Sequence, residues 1–212
     1  MYAIRDEVQP LNWKLYPELV RISTEMDGSC FFHAILKSFF LPYKTGFLDG
    51  KPLNRSTFAF DLRKSLSRKL GAPVEPNNPL SPTYYATLSR GKLAEISKDV
   101  PDLSLDYMQK ELASRLPIDN KYNEFISNVL DKDIYLLDYN TKDVYITGAD
   151  DEILYKNRPS IVILVLPGHY ELIGLQTNSG VQTLFDPSSN FIQNIRFRSK
   201  ILRHNRKSSQ SS

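Results

Sequence analysis

The sequence predicts an α+β domain, helical in its first part and β-rich in its second. Three observations carry this expectation. Apolar residues recur at helical spacing through much of residues 30–130. From residue 134 onward the pattern changes to short β-rich runs split by turn residues. The 24 aromatic side chains (11 Phe, 12 Tyr and one Trp among 212 residues) supply a core that a disordered chain lacks. Helices and strands that segregate along a chain give a mostly antiparallel or mixed sheet.

Residues 11–22 hold an irregular amphipathic stretch, with Trp13, Leu15, Tyr16, Leu19 and Ile22 broken by Pro17. Residues 30–40 read as a helix that is apolar nearly all round, so it must be buried on most sides; Pro42 ends it. A helix over 56–70 opens at Ser56 and closes at Gly71, with Phe58, Leu62, Leu66 and Leu70 down one face. Four prolines make 71–82 a loop. Helices are expected over 83–97, weakened by Gly91, and over 102–115. Asp119 reads as the N-cap of a helix whose Tyr122, Phe125, Ile126, Val129 and Leu130 face the core. Residues 134–137 and 144–146 form a hairpin turning near Asn140, Thr141 and Lys142. Residues 161–166 are a continuous apolar strand, and 170–173 and 181–185 are strands on either side of Asn178-Ser179-Gly180.

Composition excludes several functions. One cysteine rules out a disulfide scaffold and a Cys-rich metal site, and three histidines leave little for a His-based one. No metal or cofactor is expected. The longest apolar run is six residues, where a membrane span needs about 20. Residues 1–10 lack a charged segment leading into an apolar one, so no secretory leader is expected. The expectation is a soluble intracellular, cytoplasmic protein, in which the Asn54-Arg55-Ser56 sequon stays idle. The net charge of +3 divides into +6 on residues 187–212 and −3 on residues 1–186. Such a body is no nucleic-acid footprint. Residues 196–212 read as a basic, disordered tail after a domain over 1–195.

The sole cysteine lies in Asp27-Gly28-Ser29-Cys30-Phe31-Phe32-His33-Ala34, at the predicted start of the buried helix. A lone cysteine is usually an inert small hydrophobe. This one follows a tight Asp-Gly turn, where the helix dipole is expected to lower the thiol pKa. Backbone N–H groups of Asp27, Gly28, Ser29 and Cys30 could meet a developing oxyanion. A nucleophile needs a base, and Gly168-His169-Tyr170-Glu171 offers one on a strand. Side chains two apart share a strand face, so Glu171 should orient His169 while Tyr170 turns into packing. Asp27, Asn178 and Asp186 are rival orienting groups. His33, one turn along the helix of Cys30, is a rival base, and His204 in the tail a weaker one.

The Asp27–Ala34 motif resembles the cysteine box of the ovarian-tumour (OTU) family of cysteine proteases, and Gly168-His169-Tyr170-Glu171 resembles that family's histidine box. The resemblance spans roughly residues 20–187, and residues 183–187 look like OTU proteins of large DNA viruses and some microbes. It implies a papain-like OTU fold, with a small mixed or antiparallel sheet packed between helices. It implies a deubiquitinase acting as a monomer on ubiquitin, polyubiquitin or ubiquitin-like modifiers, in the host cytoplasm if the source is a virus or bacterium. Cys30 would be the nucleophile and His169 the base. Many members carry Asp or Asn where Glu171 stands, which leaves the third residue open between Glu171 and Asp27. A non-catalytic ubiquitin-binding module, and a Cys–His protease or acyltransferase outside the ubiquitin system, are the other readings.

Overall fold

The computed structural model describes residues 6–14, 16–147 and 150–210. Leu15, residues 1–5 of the leader reading and residues 211–212 of the tail lie outside the described residues.

Two N-terminal strands, β1 (Val8–Pro10) and β2 (Leu19–Ile22), precede α1 (Cys30–Phe39). Then come α2 (Leu41–Thr45), a ribbon of β3 (Phe47–Leu48) and β4 (Lys51–Pro52), and α3 (Arg55–Leu70). Short helices α4 (Tyr84–Thr87) and α5 (Lys92–Ile96) lead to α6 (Leu105–Ala113) and α7 (Asn123–Leu130). The strand-rich part holds β5 (Asp133–Asp138), β6 (Asp143–Val144), α8 (Asp151–Leu154), β7 (Ser160–Leu166), β8 (His169–Thr177) and β9 (Gly180–Gln182). A long helix, α9 (Asn190–Gln210), follows.

The main sheet runs β1-β2-β8-β7-β5-β6, with β9 pairing the far end of β8. The pair β5–β7 is parallel and the others are antiparallel, so the sheet is mixed, as the sequence predicts. Strand alternation sorts the side chains onto two buried faces. Ile134, Leu136, Ile161, Ile163 and Leu172 join Phe32, Ile35, Leu66, Met108 and Phe125 of the helices on one face. Tyr135, Leu137, Val162, Leu164 and Ile173 join Trp13, Phe185, Phe191, Ile192 and Ile195 on the other. Burial on both faces explains why β7 reads as an unbroken apolar run.

The structure corrects four readings. Residues 19–22 of the amphipathic stretch form β2, inserted between β1 and β8. Their pairing with residues 172–175 spans some 150 positions and leaves no local periodicity to detect. The helix expected over 83–97 breaks at Ser89, Arg90 and Gly91, all at positive φ (52°, 57° and 86°). The Ser89 N–H there donates to Glu124 Oε2 at 2.8 Å instead of continuing a helix. The last strand stops at Gln182, and Phe185 instead bridges to Ser160. Finally, the segment expected to be disordered is helical through Gln210. Its basic residues find the carboxylates of the body: Arg198 Nη2 lies 2.5 Å from Asp143 Oδ2 and Arg203 Nε 2.9 Å from Asp151 Oδ1. The charge asymmetry of the sequence is thus partly an intramolecular complementarity. Among the described residues no helix is long and apolar enough to cross a membrane.

Ile195 of α9 is fully buried against the sheet. Ile195→Ala should lower the unfolding free energy by about 2–5 kcal/mol in urea titration. A loss below about 1 kcal/mol would show that α9 does not complete that core.

Candidate active site

Helix α1 starts at Cys30 because the preceding turn stops the chain from being helical any earlier. Gly28 has φ +80°, and a Cβ there would lie 2.0 Å from the carbonyl oxygen of Arg115. Only glycine allows both that conformation and that approach. The Asp27 carboxylate accepts from Ser29 N–H at 3.0 Å, and Ser29 O accepts the first helical bond from His33 N–H at 2.9 Å.

Beneath this turn lies Arg63, a side chain that sequence reasoning missed. It is fully buried. Its Nε donates to Leu112 O at 3.0 Å. Nη1 donates to Gly28 O and Ser29 Oγ at 2.8 and 3.2 Å, and Nη2 to Glu111 O and Leu116 O at 3.0 and 2.8 Å. All five guanidinium donors therefore have acceptors. The one available signal was positional: Arg63 shares its stripe of α3 with buried Ala59, Leu66 and Leu70.

His169 opens β8 immediately after Gly168, whose φ is +70°. Cys30 and His169 line one pocket of about 130 Å³, together with Gly168, Tyr170, Ile118 and Asp119. Tyr170 turns into packing, as predicted, with its ring 5.3 Å from that of Phe31 in an edge-on contact. This contact couples the cysteine helix to the histidine strand. Glu171 shares the side of His169, with Oε1 3.9 Å from Nε2. That is too long for a hydrogen bond. The carboxylate is engaged by Arg21 of β2, at 2.8 Å to Oε2 and 3.2 Å to Oε1. The group within hydrogen-bond reach of His169 Nε2 is Thr24 Oγ1, at 3.2 Å.

The other candidates go elsewhere. Asp27 lies against His33, Oδ1 to Nε2 at 2.9 Å. His33 is fully buried, and its Nδ1 faces Tyr43 Oη and, at 3.3 Å, Glu25 Oε2. Both ring nitrogens of the rival base are thereby committed. Asn178 is exposed in the turn after β8, and the wholly exposed Asp186 accepts from Ser188. His204 lies in α9, with the tail helix. Ser29 N–H is held by Asp27, which removes it from the expected oxyanion donors.

Burial pushes the Cys30 thiol up, although backbone N–H groups of Tyr170, Phe31 and Cys30 pull it partly back. The expected fall in thiol pKa is therefore reversed in the resting site, where Cys30, 5% exposed, loses more to desolvation than it gains from those backbone N–H groups. Burial likewise holds the His169 imidazole low; Glu171 opposes this, while Arg21 and His33 reinforce it. The resting pair at neutral pH is a thiol and a neutral imidazole.

No protein-family model and no curated protein matches the sequence. Solved structures do match the fold. An OTU domain in complex with ubiquitin aligns over 91% of this chain and 90% of its own, at 20% identity and a TM-score of 0.50. An OTU deubiquitinase from Wolbachia pipientis wMel aligns over 86% of this chain and 99% of its own, at 13% identity and a TM-score of 0.42. The Hazara virus OTU bound to ubiquitin aligns over 82% and 89%, at 14% identity and a TM-score of 0.39. The chain has the fold of an OTU domain.

Glu171 is the carboxylate that raises the His169 pKa against burial. Glu171→Gln removes that stabilisation of the imidazolium and leaves the Arg21 cation in place. The His169 pKa should therefore fall below its wild-type value in an NMR titration. An unchanged or higher value would contradict this electrostatic account.

Proposed function

We propose that the protein is a cysteine-type deubiquitinase, hydrolysing the isopeptide bond between the C-terminus of ubiquitin and a lysine. The observation that supports this most is that Cys30 and His169, some 140 positions apart in sequence, line the same pocket of an OTU fold. That an OTU domain of similar fold has been solved in complex with ubiquitin supports the choice of substrate.

In this reading His169 takes the Cys30 proton as Sγ attacks the carbonyl carbon of the terminal glycine. Coupling proton transfer to attack suits a resting thiol. The tetrahedral oxyanion meets the N–H groups of Asp27, Gly28 and Cys30, the members of the expected donor set that the Asp27 carboxylate does not claim. The imidazolium then gives its proton to the departing lysine amine, and the C–N bond breaks to leave a thioester on Cys30. A water enters, loses a proton to His169 and attacks the thioester carbonyl. Collapse returns that proton to the leaving sulfur and releases ubiquitin with a free carboxylate. The pocket is small, at about 130 Å³, which suits a terminal segment without side chains.

Cys30→Ala and His169→Ala should each lower turnover of a fluorogenic ubiquitin C-terminal amide by at least about 10⁴-fold, with the melting transition retained. His33→Gln should keep turnover within about tenfold, since both ring nitrogens of His33 are committed away from the reaction. Turnover surviving in Cys30→Ala would refute the assignment, because the chain has no second thiol.

A further inference from the structure

Thr24 follows β2, the strand that pairs with β8 through Ile22 and Leu172. The residue is nearly buried, at 9% exposure. Its hydroxyl oxygen lies 2.5 Å from the carbonyl oxygen of Tyr170 and 3.2 Å from His169 Nε2. A carbonyl can only accept a hydrogen bond, and a threonine hydroxyl has one proton to give. That proton goes to Tyr170 O. Toward His169 the hydroxyl oxygen can therefore only accept, so Nε2 must carry a proton. In a neutral imidazole the lone pair is then on Nδ1.

We propose that Thr24 is the positioning residue of the site: it fixes the His169 tautomer so that Nδ1 is the base for Cys30. This rests on the assignment of His169 as the base. It reassigns the orienting role that strand alternation gave to Glu171. Glu171 is 3.9 Å from Nε2 and paired with Arg21, so it acts through space on the charge of the ring and does not choose the tautomer. The two contributions are separable. A hydroxyl anchored on a backbone carbonyl sets which nitrogen is protonated. A carboxylate held behind it offsets part of the cost of the imidazolium that forms when the thiol proton moves.

The arrangement also ties orientation to the fold. Tyr170 O is a backbone atom of β8, and Thr24 is held at the end of the strand beside it. The hydrogen-bond chain from Tyr170 O through Thr24 to His169 therefore turns back on the strand that carries the histidine. Thr24 sits only a few residues before the Asp27 turn, so one short segment leads from the histidine support to the nucleophile.

The test uses three variants of the intact chain. Thr24→Val keeps the shape and removes the hydroxyl, Thr24→Ser keeps the hydroxyl, and Glu171→Gln removes the carboxylate charge. The first readout is the tautomer of His169 from ring ¹⁵N chemical shifts. The second is the rate at which iodoacetamide alkylates Cys30 at neutral pH. The third is turnover of the ubiquitin amide. We expect wild type, Thr24→Ser and Glu171→Gln to show the Nε2-protonated ring, and Thr24→Val to show a mixture. Thr24→Val should alkylate more slowly and lose about 10- to 100-fold in kcat with KM within about twofold, short of the full contribution of a general base. Thr24→Ser should restore both rates. An unchanged tautomer and unchanged alkylation in Thr24→Val would overturn the proposal, as would a scrambled tautomer in Glu171→Gln with an intact one in Thr24→Val. If wild type ignores the ubiquitin amide, the substrate assignment falls, while the ring tautomer and alkylation rate still decide the role of Thr24.

Discussion

The guanidinium of Arg63 ties together two of the three chain segments that line the pocket, the cysteine turn and the segment leading to residues 117–119. It bonds Gly28 O and Ser29 Oγ on the cysteine turn, and Glu111 O, Leu112 O and Leu116 O at the end of α6 and beyond it. A buried charge is tolerable only when its donors are satisfied. Here the five donors meet five acceptors. The reverse also holds: without Arg63, four buried or part-buried carbonyls would lose a donor, at about 1–3 kcal/mol for each one left unsatisfied. The same juncture needs Gly28, whose backbone lies against Arg115 O with no room for a side chain. Residues 117–119 continue from this anchored segment into the pocket wall. The position of Cys30 against that wall follows from these contacts and not from the cysteine itself.

Burial sets the electrostatics of the resting site. Burial raises the thiol and lowers the imidazole, so neither partner is charged at rest. Such a thiol has little thiolate character, which makes it a poorer target for stray oxidants than an exposed low-pKa cysteine. In the proposed reaction charge appears only as the proton moves from Cys30 to His169. Glu171 is held by Arg21, and His33 and Asp27 hold each other beneath the turn. Two histidines thus play opposite parts. His33 is engaged on both nitrogens as scaffold, whereas among the described residues the hydrogen-bond partner of His169 is on Nε2.

Much of the fold was legible because periodicity is local. The buried helix from Cys30, the apolar strand over 161–166 and the strand opening at His169 follow from spacing alone. Cys30, His169 and the packing direction of Tyr170 were read from a turn and a two-residue alternation. The failures share a different cause. β2 pairs with β8 from the far end of the chain, and Thr24 reaches His169 only because of that pairing. Arg63 is polar on a buried stripe, which a hydrophobic pattern cannot flag. The tail looked disordered because its composition is basic, yet Asp143 and Asp151 neutralise Arg198 and Arg203 in the folded chain. The carboxylate two residues after the histidine was correctly placed on its side of the strand, but alternation could not reveal that Arg21 would claim it.

The central claim is that Cys30 attacks the C-terminal carbonyl of ubiquitin with His169 as its base. The most direct measurement is intact-protein mass spectrometry after incubation with a ubiquitin whose C-terminus carries a thiol-reactive electrophile, followed by peptide mapping of the adduct. The account predicts a single adduct of one ubiquitin mass, mapped to Cys30 and formed far more slowly in His169→Ala. A folded wild-type protein that forms no adduct, or one whose adduct forms equally fast without His169, would contradict it.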